Sequence, residues 1–129
     1  MINILWFLIS LFSTLIIVRV GAHLFHDFKS YGKKYEKSKT PTAWLRNKFQ
    51  LDIHHIHMGF VILIIDLILF LIFGSKTIIF VLLGIGLSLI LDQITPLIDK
   101  SCYFSKSKLL ISIIFHLIVA LLSVIIWVV

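Results

Sequence analysis

Apolar positions in this chain come in long unbroken blocks, separated by short polar stretches. The blocks cover residues 2–22, 54–73, 77–94 and 109–129, with polar connections at 27–51 and 95–108. Crossing the hydrocarbon core of a bilayer takes about 20 mostly apolar helical residues, so each block predicts one transmembrane helix. The expected fold class is therefore all-α, a polytopic membrane protein with four transmembrane helices in a single domain over residues 1–129. Gly74-Ser75-Lys76 is the only break between the second and third blocks. A connection this short predicts an antiparallel hairpin.

Inside the blocks, the polar and small residues recur at helical spacing. In the first, Arg19, His23 and His26 stand four and three apart on one stripe, which leaves the block if the helix continues to about Lys29. The second opens with Leu51-Asp52-Ile53-His54-His55-Ile56-His57 and carries His55, Gly59 and Asp66 on one face. Asp66 falls about 16 Å deeper than His55 at the usual helical rise. The third places Gly84, Ser88, Asp92 and Thr95 on a stripe, and Pro96 predicts its end. The fourth shows Ser112, His116, Ala120 and Ser123 in line. These stripes predict helices that face one another, with Gly59, Gly84 and Gly86 as close-packing positions and Asp66, Ser88 and His116 as intramembrane polar groups.

Composition narrows the class further. With 60% hydrophobic and 14% charged residues, the chain lacks the polar shell that a water-soluble helical core requires. The net charge of +6 would suit nucleic acid, yet its placement argues for membrane orientation. Eleven of the twelve basic residues fall at the end of the first span or in the connections at 27–51 and 95–108, and Lys76 alone lies on the other side. The positive-inside rule makes those connections cytoplasmic and both termini external, N-out and C-out. The partners expected from this pattern are membrane lipids, with no nucleic acid. Cys102, the sole cysteine, excludes an intrachain disulfide. The first block has no basic residue before it and carries Arg19 near its far end, which predicts a retained span over a signal peptide. Thr40-Pro41 is a helix-start signal for a short interfacial helix carrying Trp44, Leu45 and Phe49 toward lipid.

The candidate chemistry follows from depth. His23, His26, His54, His55 and His57 are all expected near one membrane face together with Asp92, and imidazoles with a carboxylate form a plausible shell for zinc or iron. In this reading His23, His54, His55 and Asp92 lead, His26 and His57 are alternates, and Asp27 or Asp52 orients the rings. The metal would serve an enzyme acting on a lipid or other membrane-partitioned substrate. Three plainer readings stand beside it: Asp92 capping its helix or pairing with Arg19, His116 hydrogen-bonding Asp66, and lone interfacial histidines as anchors. From another class comes a homo-oligomeric proton or ion channel lined by Asp66, Ser88 and His116. An accessory subunit of a larger membrane complex is the third alternative.

His54-His55 with Gly59 forms HHxxxG, and residues 84–93 (GIGLSLILDQ) are similar to a GxGxxLxxDE ending. Together with the preceding Arg/His segment these resemble a group of small prokaryotic integral membrane proteins of unassigned activity, over about residues 19–95. The resemblance implies a prokaryotic cell membrane and joins His54, His55, Gly59, Gly84, Gly86 and Asp92 into one unit. Gln93 stands where that group tends to have glutamate.

Overall fold

The structure, a computed structural model, describes residues 2–25, 44, 55–98 and 106–128, without the side chains of residues 23, 25, 95–98, 106 and 107. Four helices account for all but a few of these: α1 (Ile2–Phe25), α2 (His55–Phe73), α3 (Thr77–Ile98) and α4 (Lys106–Val128). Each contains a stretch of 18 to 21 residues long and apolar enough to cross a membrane. The all-α four-span class read from the blocks is what the chain adopts.

Three helix ends run past their apolar blocks, the first being that of α1, which reaches Phe25. α3 continues through Pro96 to Ile98. Proline in a last turn forfeits only its own N–H bond, to the Asp92 carbonyl, and most carbonyls of that turn have no helical donor anyway. α4 starts at Lys106, ahead of the apolar block. A hydropathy block ends at a charge, whereas a helix does not, because a lysine stem packs like an alkane. Of the interfacial helix expected from Thr40, only Trp44 is described, helical and exposed.

α3 is the shared wall of the fold. α1, α2 and α4 all pack on it, and α1 also meets α4. Buried Phe7, Leu11 and Leu91 centre an apolar core whose partly buried neighbours come from α1, α3 and α4, with none from α2. Outside this core the helices present leucine, isoleucine, valine and phenylalanine in quantity, such as Leu71 at 74% and Ile126 at 77% exposed. Water would penalise such a surface and lipid does not.

Contacts at the ends fix the relative directions. Thr77 Oγ1 donates to Asn3 Oδ1 at 3.3 Å, joining the N-terminal ends of α1 and α3. Phe80 near the start of α3 meets Trp127 near the end of α4 edge-on, with centroids 5.8 Å apart. α1 and α3 thus run parallel and α4 antiparallel to them. α2 doubles back through a turn in which Gly74, at φ +65°, sends its N–H to the Phe70 carbonyl at 2.8 Å. That is a left-handed helix cap, a conformation in which glycine meets no Cβ penalty. Both long connections consequently join helices at one end of the bundle, called here the loop end.

Glycines set how closely the wall is approached. A Cβ on Gly84 would run into Ser10 Oγ and lie 2.7 Å from the Phe7 carbonyl oxygen of α1. A Cβ on Gly59 would lie 2.7 Å from the Gly86 carbonyl oxygen, and one on Gly86 would lie 2.8 Å from Leu63 Cδ2. Residues two apart on a helix point about 200° apart, so Gly84 opens the wall to α1 and Gly86 opens it to α2. Gly59 of α2 and Gly86 of α3 therefore lie against each other.

Candidate functional site: a polar network shared by three helices

The polar stripe of α3 faces α1 and α4 near the loop end. Asp92 has 0% exposure and lies six residues before the end of α3, about 9 Å in at the helical rise. Arg19 of α1 donates from Nε to Asp92 Oδ1 at 2.7 Å, an ion pair with the guanidinium side chain 14% exposed. Ser112 of α4 donates its hydroxyl to the same oxygen at 3.1 Å. One carboxylate oxygen thereby ties together three helices that are distant in sequence.

One turn deeper lies His116, also with 0% exposure. Its Nδ1 is 2.8 Å from the Ser112 carbonyl oxygen, and its Nε2 is 2.9 Å from Ser88 Oγ on α3. A carbonyl can only accept, so Nδ1 carries a hydrogen. In the neutral ring Nε2 then accepts from the Ser88 hydroxyl. Phe12 of α1 flanks the imidazole with centroids 6.4 Å apart. Ser112 joins the two halves, using its hydroxyl toward Asp92 and its carbonyl toward His116.

Of the alternatives open in the sequence, the Arg19–Asp92 pair is present. The His116–Asp66 bond is not formed, since both ring nitrogens of His116 are taken by Ser88 and Ser112. Asp66 lies on α2, whose packing partner is α3, and the wall separates it from α4. The stripes do face neighbouring helices, though on two sides of α3: those of α1, α3 and α4 meet on one, and that of α2 faces the other. Lys108, assigned from sequence to a loop, is 2% exposed and sits one turn before Ser112 on the same face of α4. Ser10 is buried beside Gly84 and bonds its own helix at the Phe7 carbonyl, 2.9 Å away.

The metal reading falls largely outside the described residues. His26 and His54 lie beyond them, as do Asp27 and Asp52, and the His23 side chain is not described. His55 and His57 begin α2 at the loop end, with His57 exposed. Among the described residues no group of three or more histidine, cysteine, aspartate or glutamate side chains is placed to hold a metal ion. Asp92 is engaged by Arg19 and Ser112.

Chemically the network can do two things. It welds the three helices, since in lipid an unpaired polar group has no water to turn to. It also holds an imidazole, the side chain that takes and releases a proton near neutrality, between an acceptor and a rotatable hydroxyl. No family model, no curated protein and no solved structure matches this chain.

Proposed function

We propose that this is a small membrane-embedded proton-handling protein, in which His116 takes up and releases a proton within the α1–α3–α4 bundle. The observation that carries the reading is a fully buried imidazole with both ring nitrogens engaged, one by a carbonyl and one by the Ser88 hydroxyl. A proton arriving at Nε2 makes the ring a donor on both sides, and the Ser88 hydroxyl turns to accept. The proton leaves when the Ser88 oxygen takes it from Nε2 and the hydroxyl gives its own hydrogen to the next acceptor along the path, after which the hydroxyl turns back to donate to the neutral ring. Arg19, Asp92 and Ser112 act as positioning residues, fixing the α4 backbone whose carbonyl orients the ring. Toward the opposite membrane face the polar positions continue at lower density, through Ser10 beside Gly84 to the Asn3–Thr77 pair.

This path lies within one chain and uses the Ser88 and His116 of the channel alternative, with Asp66 playing no part in it. Placing the loop end in the cytoplasm accords with the positive-inside rule, and the route then runs from the cytoplasmic side outward. Reconstituted liposomes containing a pH-sensitive dye, with a potassium gradient and ionophore setting the voltage, test the reading. The expected result is a proton flux above that of empty vesicles. It falls at least tenfold in Ser88→Ala and His116→Gln, while Ser123→Ala, on the same helix outside the network, retains it. Flux equal to that of empty vesicles, or flux indifferent to both network substitutions, overturns the reading.

A second reading is a zinc or iron site at the loop end, serving a metal-dependent reaction on a membrane-partitioned substrate. It is supported by the packing direction of α2, which brings His55 and His57 to the same end as Asp92. Elemental analysis of protein purified without chelators decides it. The expected content is near one equivalent, falling in His54→Ala and His55→Ala, and less than a tenth of an equivalent removes the proposal.

A further inference from the structure

Asp66 is a buried ionisable group that lies apart from the His116 network. It lies seven residues after Gly59, hence on the face of α2 that packs against α3, and is only 5% exposed. Its Oδ1 is buried and has no hydrogen-bond partner. Position 66 lies near the middle of α2, eleven residues from one end and seven from the other, so it sits at mid-membrane depth.

Among the described residues, the surroundings offer no counter-charge. From Thr77 through Leu91, α3 carries no ionisable side chain, and its one such residue, Asp92, is itself acidic and lies toward the loop end. On α2 the other titratable groups are His55 and His57, nine to eleven residues away, or about 14–16 Å along the helix. Lys76 lies ten residues on, beyond the turn, and is exposed. An ionised carboxylate with neither counter-charge nor donor is among the costliest groups to hold in hydrocarbon. Oδ1 is enclosed by the chain itself, so while α2 rests on α3 a bulky cationic side chain from another protein is kept from that oxygen, whereas a proton on the carboxyl neutralises the whole group.

We infer that Asp66 is a proton-binding site, carried as a neutral carboxylic acid at the α2–α3 contact and separate from the His116 network. The inference does not rest on proton movement by His116, since it concerns occupancy of a different group on the other flank of α3. It assigns α2 a chemical role in addition to packing, as the element that holds a proton at the middle of the membrane.

Infrared difference spectroscopy of the full chain in lipid, wild type minus Asp66→Asn, gives the direct test. At neutral pH the expected difference is the carbonyl stretch of one protonated carboxylic acid, without the paired stretches of a carboxylate. Carboxylate bands in its place overturn the inference. Asp66→Leu provides the same subtraction should the asparagine variant fold poorly. A second measurement uses dicyclohexylcarbodiimide, which dissolves in lipid and reacts with protonated carboxyls. The acid proton passes to one carbodiimide nitrogen, the carboxyl oxygen adds to the central carbon, and acyl migration to nitrogen leaves a stable N-acylurea. Mass spectrometry is expected to place this adduct on the peptide containing Asp66 at neutral pH and to lose it in Asp66→Asn. An adduct confined to other carboxyls counts against the site. Loss of the acid band on adding sodium or lithium at fixed pH overturns the proton assignment in favour of a metal cation.

Discussion

The two flanks of α3 treat buried acids in opposite ways. Toward α1 and α4, Asp92 is given a guanidinium and a hydroxyl on the same oxygen, and the packing around it is a three-helix core. Toward α2, Asp66 is also buried, at 5% exposed, yet its Oδ1 meets no donor among the described residues. Depth accounts for part of the contrast. Asp92 is near enough to the loop end for an arginine on a neighbouring helix to reach it with its head group only partly withdrawn from the polar layer. At the level of Asp66 the same arginine would have to be buried entirely in hydrocarbon. Two carboxyls of one chemistry thus call for different electrical states: a paired anion near the interface and, by our inference, a neutral acid at mid-membrane.

Substitution by leucine should separate the two flanks most sharply. Asp92→Leu leaves the Arg19 guanidinium without its carboxylate, and breaking a buried pair in this way costs on the order of 3–5 kcal/mol. Reversible unfolding in mixed micelles should show that loss, and the double variant Arg19→Leu/Asp92→Leu should regain most of it. A double variant as unstable as the single one would show that the pair acts through packing. Asp66→Leu is expected to have the smaller effect with the opposite sign. Removing an unsatisfied buried polar group recovers about 1–3 kcal/mol, less whatever strain the bulkier methyl groups add against α3. A clear destabilisation would mean that Asp66 has a partner in the folded protein, and the contrast between the flanks would collapse.

The span count was legible because block length and the 30 Å scale of hydrocarbon leave little choice. So was the Gly74 turn, where the three-residue break permits only a hairpin. The stripes were legible as stripes: Ser88 and Asp92 do share a face with Gly84, and Ser112 shares one with His116. What the sequence could not say was which stripe meets which, because helical periodicity orders residues within a helix and carries nothing about its neighbours. The pairing of Asp66 with His116 failed at this point. A clue was available in the Gly84-Ile85-Gly86 spacing, since glycines on opposite faces of one helix mark a helix that lies between two others. Lys108 was misplaced because a charged residue was taken to end a buried segment, although its aliphatic stem belongs to the stripe of Ser112 and His116. The expected histidine cluster lies mostly outside the described residues, and the polar network that the described residues do form is the one around Asp92 and His116.

The three-residue turn after α2 also bears on how the chain enters its membrane. During synthesis α2 emerges before the helix that will cover its acid, and an aspartate near the centre of an inserting segment carries a penalty of about 2.5–3.5 kcal/mol. Its 14 leucine, isoleucine, valine and phenylalanine residues return at most about 4–8 kcal/mol on the same insertion scale, so α2 can partition alone, though with a reduced margin. Only a few residues later α3 begins to emerge, and the two can enter lipid as a folded pair with Asp66 already sheltered. Lengthening the turn would prolong the interval in which the acid faces lipid without its cover.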